Sequence, residues 1–324
     1  MPKAIRIYKH GGPEMMRWED APLGEPGVGE VVVRHAAIGL NFIDVYDRTG
    51  LYPLQLPSGL GREAAGVVEA VGRKVRGLKR GDRVAYTYPV PGAYSQLRLC
   101  PAERLVKVPA GISDEQAAAM MLKGLTARYL LRQTYRVKRG DAVLIHSAAG
   151  GVGSIAAQWA RHLGAKVIGV VGNAEKAKLA KRDGCHHVII GGPDELSARV
   201  KSLTQGAGVN VVYDSVGKDT FFASLDSLRP LGMMVTFGNS SGAVPPVSPL
   251  ELAKRGSLFL TRPSLFNYVA TRPALESAAR DLFNVVKRGA VKIRIGQSYP
   301  LEDVATAHRD LEARRTTGST VLIP

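Results

Sequence analysis

A glycine-rich stretch in the middle of the chain has the spacing of a phosphate-binding turn. Residues 147–164 run SAAGGVGSIAAQWARHLG, in which Ala148-x-Gly150-x-x-Gly153 follows the apolar string AVLIH. Gly150 lets the main chain approach a pyrophosphate, Gly153 lets a helix pack closely on the preceding strand, and the helix N-terminus supplies free N–H groups. Any tight turn between a strand and a helix would explain the glycines alone. Their place at the start of a long strand–helix series favours a dinucleotide site at Gly150, Gly151 and Val152.

The end of the second strand in that series indicates which dinucleotide binds. NAD sites usually carry Asp or Glu there, about 20 residues after the glycines, to accept hydrogen bonds from the ribose. Here the strand ends Val171-Gly172-Asn173, and the first acid is Glu175. Lys176 follows on the next helix, where its ammonium would meet a 2′-phosphate; a solvated surface lysine is the alternative. The missing acid favours NADPH.

Two different patterns along the chain predict two domains. Up to about residue 110, short β-rich runs such as GVVEAVG and GDRVAYTY alternate with glycine and proline turns, which is typical of an irregular β-barrel. The pattern then becomes helical, with Ser113 as a plausible N-cap. From DAVLIHSA onward, strands alternate with helices of ten or more residues. That alternation predicts an α/β protein with a parallel sheet covered on both faces.

Composition and charge limit the class of protein. Apolar residues make up 45% and charged residues 22% of the 324 residues, as in ordinary globular proteins. No apolar run is long enough to span a bilayer, the charged start does not match a signal peptide, and two cysteines give no disulfide framework; together these favour the cytoplasm. The net charge of +16 indicates either an anionic partner or a solvated basic surface.

Long and unusual strings occur in order from one end of the chain to the other. They include HGGPE, AIGLNFIDVYDRTGLYP, LPSGLGREAAG, LKGLTARYLL, VVYDSVG, FGNSSG, TRPSL and TGSTVLIP. In these strings the chain resembles the zeta-crystallin-like quinone oxidoreductases, in the zinc-free branch of the medium-chain dehydrogenase/reductase superfamily. The resemblance implies a GroES-like β-barrel catalytic domain, residues 1–125 and 262–324, and a Rossmann NADPH-binding domain with a doubly wound parallel sheet, residues 126–261. It also implies a homodimer that pairs strands near GMMVTFG and SLFLT across a two-fold axis.

Two positions indicate that no catalytic zinc is bound. Zinc enzymes of the superfamily that the chain resembles carry Cys where it has Asn41, and Gly-His-Glu where it has Gly61-Arg62-Glu63. A catalytic zinc needs such ligands to converge. The four-cysteine lobe of a structural zinc is missing too, and the adjacent residues Cys185-His186-His187 point in opposing directions at a strand start, with a buried Cys and surface histidines as the expectation. We expect activity without a metal.

Without a metal, hydrogen bonds and position must polarise the substrate. In the family that the chain resembles, Asn41, Asp44, Tyr46 and Tyr52 line the nicotinamide and substrate cleft. Asn41 can donate to an amide or carbonyl oxygen, and the two tyrosines offer phenolic donors and flat ring faces. Packing in the core or at the rim is the alternative for one tyrosine but not for both. The candidate catalytic residues are Asn41, Tyr46 and Tyr52.

The resemblance places further residues at the cofactor. The cofactor-binding set is Asn41, Phe42, Asp44, Tyr46, Lys123, Thr126, Tyr129, Gly150, Gly151, Val152, Gly172, Lys176, Val216, Phe237, Gly238, Ser240, Arg262 and Arg314. Surface ion pairs are the alternative for the two arginines. Two residues depart from the family pattern. Arg62 predicts a more electropositive cleft, and Gly191 replaces a Tyr near the 2′-phosphate, which predicts loose discrimination against NADH.

The resulting hypothesis is a cytoplasmic NADPH:quinone oxidoreductase that delivers hydride to a quinone without metal or flavin. One alternative is an enal or enone reductase of the same superfamily, which reduces a carbon–carbon double bond. Another is an RNA-binding or structural role of the zeta-crystallin kind, which the net charge of +16 would favour physically. A quinone is the expected partner, a membrane is not expected, and nucleic acid is the less favoured partner.

Overall fold

The chain folds into two compact units. The computed structural model describes all 324 residues. Unit 1 consists of Met1–Lys123, Val269–Phe283 and Ile293–Pro324, and unit 2 of Gly124–Tyr268 and Asn284–Lys292. The boundaries expected from the sequence, 1–125 with 262–324 and 126–261, concern functional domains and stay a prediction.

Sixteen strands and eleven α-helices make up these units. The strands are β1 (Lys3–Ile7), β2 (Arg17–Asp20), β3 (Glu30–Leu40), β4 (Ser58–Gly59), β5 (Glu63–Val71), β6 (Arg83–Thr87), β7 (Leu97–Pro101), β8 (Val106–Lys107), β9 (Ala142–Ile145), β10 (Lys166–Val171), β11 (His187–Ile190), β12 (Val209–Asp214), β13 (Leu228–Thr236), β14 (Phe259–Thr261), β15 (Ile295–Pro300) and β16 (Ser319–Ile323). The helices are α1 (Phe42–Thr49), α2 (Asp114–Ala118), α3 (Met121–Tyr129), α4 (Gly151–His162), α5 (Ala174–Arg182), α6 (Leu196–Leu203), α7 (Phe221–Asp226), α8 (Leu250–Lys254), α9 (Leu265–Tyr268), α10 (Arg272–Lys287) and α11 (Val304–Glu312).

Unit 2 is built on a six-stranded parallel sheet, as the sequence predicts. The strand order is β11-β10-β9-β12-β13-β14, and every neighbouring pair is parallel. The central strand β9, AVLI, is apolar throughout, as expected where helices cover both faces of a parallel sheet. In chain order, β10 and β11 follow β9 towards one edge of the sheet, and β13 and β14 follow β12 towards the other edge. The carboxyl ends of β9 and β12 therefore flank the switch point at which open α/β sheets bind ligands.

Unit 1 contains a seven-stranded sheet and a three-stranded sheet. The larger sheet has the order β15-β16-β3-β5-β6-β8, with β7 also paired to β3, and the smaller has the order β2-β1-β4. Only β15 and β16 pair in parallel; the other pairs of the unit are antiparallel. Because β16 pairs with Ile38, Gly39 and Leu40 of β3, the last residues of the chain complete a sheet begun near its start. The core of this unit includes Ile5, Tyr86 and Tyr94.

Local signals that the sequence predicts mark the start of one helix and the end of another. Ser113 Oγ accepts a hydrogen bond from Gln116 N, and Ser113 N donates to Gln116 Oε1, each at 3.1 Å. This reciprocal pair is a capping box in front of α2. The second helix, α4, ends at His162. Gly164 follows with φ +88°, a conformation that glycine adopts without strain.

The two cysteines are free and buried. Next to Cys185, Val167 N donates to the His186 Nδ1 atom at 3.0 Å, whereas His187 is exposed. Cys185 is therefore buried, His187 is exposed, and His186 is half-buried and bonded to the main chain. No three His, Cys, Asp or Glu side chains are grouped so that they could hold a metal ion. None of the helices combines the length and apolarity needed to cross a membrane.

Candidate active site

The glycine-rich turn joins β9 to α4. Gly150 stands before α4 in an extended conformation, and no side chain caps the helix. The first N–H groups of α4 therefore have neither an intrahelical partner nor a side-chain cap. A Cβ at residue 153 would overlap the Ser147 carbonyl oxygen and the Ala148 backbone, so Gly153 is what permits the close approach of helix and strand. This turn fits the phosphates of a dinucleotide.

The end of β10 carries a helix cap where NAD sites usually carry an acid. Asn173 is the N-cap of α5, and its Oδ1 accepts a hydrogen bond from Lys176 N at 2.9 Å. A Cβ on exposed Gly172 would meet nothing within 4 Å, which leaves room for a ribose beside the strand. Gly191 has φ +127°, so a Tyr at this position would be strained. A Tyr at residue 191 would therefore require a different local backbone.

The turns after β12 and β13 are bonded to each other. Ser241 N donates to Val216 O at 2.9 Å, and Ser240 N donates to Ser215 O at 3.4 Å. A Cβ at residue 238 would overlap the Ser215 carbonyl oxygen, so Gly238 permits this approach. The structure brings together four residues that the sequence singled out, Val216, Phe237, Gly238 and Ser240.

A buried carboxylate, Asp214, holds this pair of turns, and the sequence analysis missed it. Its Oδ1 accepts from Val216 N at 2.7 Å and Gly217 N at 3.1 Å, and its Oδ2 accepts from the hydroxyls of Thr220 at 2.7 Å and Ser224 at 2.8 Å. The Ser224 hydroxyl also bonds His146 Nε2 at 2.9 Å, and burial lowers the pKa of His146. An acid that ends a buried strand, in VVYD, was the available signal. Asp214 fixes the main chain that carries Val216.

The two candidate arginines lie in different settings. Arg262 Nη1 donates to Thr236 O at the end of β13, at 3.2 Å. Arg262 thereby joins the group at the strand ends of unit 2. Arg314 is exposed in the turn after α11, with φ +59°.

Thr126 and Tyr129 lie one turn apart on α3, and both are buried. The Tyr129 ring stacks on the Tyr268 ring, with centroids 4.4 Å apart and planes 11° apart. One face of the Tyr129 ring is thus covered by another aromatic ring of the same unit. Thr126 lies on the same face of the helix as Tyr129, and its contact with the cofactor stays a prediction.

In unit 1, the candidate residues of GLNFIDVYDRTGLYP gather at α1. Asn41 is the N-cap of α1, and its main-chain N donates to Asp44 Oδ2 at 2.8 Å. The rings of Tyr46 and Tyr52 meet edge to face with centroids 5.2 Å apart, and the Phe42 ring lies 6.1 Å from Tyr46. Tyr46 is buried and Tyr52 half-buried. The helix α1 carries three of the predicted residues, Phe42, Asp44 and Tyr46, with Asn41 as its N-cap. Tyr52, beyond its end, is held to it by the hydrogen bond from Tyr52 N to Tyr46 O at 3.2 Å.

Glu63, at the start of β5, connects this helix to Lys123. Its Oε2 accepts from Asn41 Nδ2 at 2.8 Å and from Lys123 Nζ at 3.1 Å, and its Oε1 accepts from Leu122 N at 2.7 Å. Glu63 and Lys123 are both buried, so the ammonium of Lys123 has its counter-ion within the unit. The sequence analysis considered Glu63 only as part of a zinc motif and gave it no role.

Arg62 does not make this site more electropositive, so that expectation was wrong. Its guanidinium forms two parallel hydrogen bonds to buried Asp47, from Nε at 2.7 Å and from Nη2 at 2.8 Å. Such a bidentate pair carries no net charge. At the two positions where zinc enzymes have ligands, the structure has Asn41 bonded to Glu63 and Arg62 bonded to Asp47.

Asp44 ends a hydrogen-bond chain with one fixed direction. A guanidinium only donates, so Arg48 Nη1 donates to His308 Nδ1 at 3.1 Å, His308 Nε2 donates to the Tyr94 hydroxyl at 3.1 Å, and that hydroxyl donates to Asp44 Oδ2 at 2.8 Å. Burial, and then Arg48, lower the pKa of His308 to about 3, which keeps its ring neutral. Asp44 Oδ1 is buried and has no hydrogen-bond partner.

The surroundings of Asp44 favour its protonated form. Burial, followed by the neighbouring charge of Asp47, raises the pKa of Asp44 to about 7, although the hydrogen bonds from Asn41 N and Tyr94 and the charge of Arg62 act in the opposite direction. Oδ2 already accepts two hydrogen bonds. The proton of the neutral carboxyl therefore belongs on Oδ1.

Comparisons with known proteins place the chain among dehydrogenases and reductases. A family model described as "Alcohol dehydrogenase GroES-like domain" matches residues 27–110, and one described as "Zinc-binding dehydrogenase" matches residues 151–283. The chain is 52% identical to a quinone oxidoreductase of Pseudomonas aeruginosa over 100% of both chains. It is 48% identical to a 2-haloacrylate reductase of a Burkholderia species, over 100% of this chain and 99% of the relative.

A solved structure extends this similarity to three dimensions. The crystal structure of Escherichia coli quinone oxidoreductase complexed with NADPH superposes with a TM-score of 0.97 at 50% sequence identity. The match covers 99% of this chain and 100% of the E. coli chain. The similarity therefore spans both units rather than one shared domain.

The raised pKa of Asp44 predicts a pH-dependent difference in stability between the protein and its Asp44→Asn variant. Between the unfolded pKa of 3.8 and the folded value of about 7, the native state holds a proton that the unfolded state has released, so wild-type stability falls as the pH rises. Asn keeps an acceptor for Tyr94 and does not titrate. Measured by urea denaturation, the free energy of unfolding of Asp44→Asn minus that of wild type should therefore rise by about 2–4 kcal/mol between about pH 4 and pH 8.

The exposed carboxylate of Asp20, which pairs with Lys3, provides the control. The difference in free energy of unfolding between Asp20→Asn and wild type should stay constant over the same pH range. A constant difference between Asp44→Asn and wild type across the range would show that Asp44 is ionised in the native state.

Proposed function

Because this chain belongs to the quinone oxidoreductase family of the medium-chain dehydrogenase/reductase superfamily, we propose that it transfers a hydride from NADPH to a quinone. The observation that carries the proposal is the high identity to quinone oxidoreductases along the whole chain. The uncapped N-terminus of α4 at the switch point of a parallel sheet supports it independently. NADPH supplies the hydride when bound, and the residues of this chain bind and orient the reactants.

Residues of unit 2 are proposed to hold the dinucleotide, in the functional domain 126–261. The main-chain N–H groups of Gly151 and Val152 suit the pyrophosphate. Gly150, whose own N–H donates to Ser147 O at 2.8 Å, would let the main chain approach it. Gly172 leaves room for the ribose, and Lys176 suits the 2′-phosphate. The strand-end group, Val216, Phe237, Gly238, Ser240 and Arg262, is proposed to contact the nicotinamide side of the cofactor, together with Thr126 and Tyr129.

Residues of the other functional domain, 1–125 with 262–324, are proposed to face the nicotinamide and the quinone. The set comprises Asn41, Phe42, Asp44, Tyr46 and Tyr52, with Lys123 and Arg314 as further contacts. The phenols of Tyr46 and Tyr52 suit the quinone oxygens, because a phenol can donate to a carbonyl. We propose that the reaction needs no metal, since Asn41 and Arg62 bond to Glu63 and Asp47 at the positions where zinc enzymes have ligands.

One specific observation favours a second substrate class. The 2-haloacrylate reductase is almost as similar to this chain as the quinone oxidoreductases are, and a haloacrylate carries a carbon–carbon double bond beside its carboxylate. Reduction of an activated double bond, as in an enal or enone, is therefore the second candidate. The RNA-binding alternative depends on the family resemblance and the net charge of +16, and we propose a cytoplasmic enzyme instead.

Side-by-side assays separate these candidates. Purified protein should lower NADPH absorbance with a kcat/KM at least about tenfold higher for simple quinones than for enals or 2-haloacrylate, equivalent to about 1.4 kcal/mol of transition-state binding. The rates should be unchanged after dialysis against a chelator. Turnover of the double-bond substrates alone would support the second candidate, and loss of activity with the chelator would contradict the metal-free proposal.

Lys176 provides a test of the choice of cofactor. Lys176→Ala removes a charge-assisted contact to the 2′-phosphate worth about 1.5–3 kcal/mol, so the Kd for NADPH should rise by about 10- to 100-fold. The Kd for NADH should change by less than about threefold, since NADH has no phosphate at that position. Fluorescence titration with both cofactors measures the two values.

Lys178, which is exposed on the same helix, is the matched control for charge. Lys178→Ala should leave both Kd values close to those of wild type. Equal weakening of NADPH and NADH in Lys176→Ala would mean that Lys176 does not contact the phosphate.

We also propose a homodimer formed through the β14 edge of unit 2. This edge strand is short, and its Phe259 and Leu260 are 56% and 39% exposed, with Leu231 nearby in β13 at 63%. An exposed, apolar edge strand is a surface that proteins usually cover. Pairing of two β14 strands across a two-fold axis would cover it in both protomers.

Charge placed on this edge should separate the protomers. Wild type should scatter light with about twice the 34.7 kDa chain mass, and Phe259→Lys should shift the mass towards the monomer by burying an unpaired charge in the interface. Ile190→Lys, at the opposite edge strand β11, is the control because Ile190 is similarly exposed at 41%. A monomeric wild type, or dissociation by both variants, would contradict the proposed interface.

A further inference from the structure

The buried carboxylate of Glu63 is surrounded on several sides by donors. Asn41 Nδ2 and Lys123 Nζ both approach its Oε2, and Leu122 N approaches its Oε1. The space for the carboxylate exists because residue 39 is a glycine: a Cβ there would overlap Glu63 Oε2 and the Ala118 carbonyl oxygen. Glu63 is fully buried, so no solvent competes for these hydrogen bonds.

This carboxylate determines which way the Asn41 amide points. Asn41 Nδ2 donates to Glu63 Oε2 at 2.8 Å and to Gly39 O at 3.2 Å. Both partners are acceptors only. Turning the amide over would place Asn41 Oδ1 against two other oxygens, one of them charged, and would lose both hydrogen bonds. The two amide hydrogens are therefore engaged. Oδ1 faces the main-chain N of Asp44 in the capping box of α1, and because an amide oxygen has two lone pairs it can still accept a hydrogen bond from a ligand.

We propose that Glu63 is a positioning residue that makes Asn41 a hydrogen-bond acceptor, never a donor, towards the bound reactants. This inference rests on the proposed function, and it revises the expectation that Asn41 donates to a carbonyl. A ligand matched to Asn41 Oδ1 carries an N–H or O–H group. Two reactants have one: NADPH, in its carboxamide NH2, and the hydroquinone product, in its hydroxyls. A quinone carbonyl must then receive its hydrogen bond from another residue.

Lys123 makes the arrangement electrically neutral. Its ammonium pairs with Glu63 at 3.1 Å in a buried setting, so the carboxylate orients Asn41 without adding net charge. The roles are separable: Glu63 acts on Asn41 through Oε2, and Lys123 compensates the charge. Neither Glu63 nor Lys123 has to contact a reactant for the amide to be oriented.

The test compares ligands that differ only in the donor group. The cofactor pair is NADPH and its 3-acetylpyridine analogue, in which a methyl ketone replaces the carboxamide. The product pair is a hydroquinone and its dimethyl ether, assayed as inhibitors. Wild type should prefer the donor-bearing member of at least one pair by about tenfold or more, the usual effect of one oriented hydrogen bond. The pair that shows the preference identifies the reactant that Asn41 contacts.

Glu63→Gln should reduce that preference to within about twofold, because a neutral amide at residue 63 lets Asn41 turn either way. Glu69→Gln is the control, since Glu69 lies on the same strand but forms an exposed ion pair with Arg34 at 2.6 Å; it should keep the wild-type preference. A purely structural role for Glu63 would weaken both members of each pair equally. That outcome, an unchanged ratio with weaker binding, would overturn the proposal.

Asn41→Ala covers the case in which Glu63→Gln does not fold. It removes Oδ1 and leaves the Glu63–Lys123 pair in place, so the preference should again fall to within about twofold. Retention of the full preference in Asn41→Ala would overturn the proposal as well. Failure of the proposed function would look different, because wild type would then neither bind nor oxidise NADPH.

Discussion

The site in unit 1 depends on one buried negative charge. Glu63 has no exposed surface, and its two oxygens accept hydrogen bonds from a side-chain amide, an ammonium and a main-chain N–H. Removing one partner from a buried ion pair typically costs about 3–5 kcal/mol, because the other charge is left uncompensated. The strands and helices that deliver Asn41, Lys123 and Leu122 are therefore constrained to converge on this carboxylate. The glycine at residue 39 belongs to the same constraint, since any side chain there would displace it.

Unit 2 uses a second buried carboxylate in a comparable way. Asp214 accepts four hydrogen bonds at the end of β12 and thereby fixes the turn that carries Val216. Because all four donors are supplied by its own loop and helix, the strand end is preorganised before any ligand arrives. In both units a buried acid fixes the local conformation around the residues that the sequence analysis singled out. Neither acid is itself among those residues.

Patterns of apolar residues and glycines predicted the fold, whereas they could not predict the pairing of polar groups. The strand AVLIH, the helix that Gly164 ends and the capping box at Ser113 are local features, so nearby residues were sufficient to predict them. Glu63 and Lys123 are 60 residues apart in the chain, and nothing near either one indicates its partner. For the same reason Arg62 was expected to add positive charge, because its partner Asp47 belongs to a different motif. The orientation of the Asn41 amide likewise depends on an acid 22 residues away.

The conformation of Gly191 shows a further limit of sequence comparison. The missing Tyr predicts weaker discrimination against NADH, and this stays a prediction. The structure adds that φ at this residue is +127°, a region that an L-residue with a bulky side chain avoids. A Tyr here would need a different local backbone, which the composition of the string HHVIIGG does not show.

Neutron diffraction from crystals of the deuterated protein would test the central claim most directly, because it locates the deuterium atoms themselves. The account predicts two deuterium atoms on Asn41 Nδ2, one directed at Glu63 Oε2 and one at Gly39 O, with Oδ1 turned away from both. Deuterium density on the atom of the Asn41 amide that faces away from Glu63 would contradict it, since the acceptor role of Asn41 and the positioning role of Glu63 would then both fail.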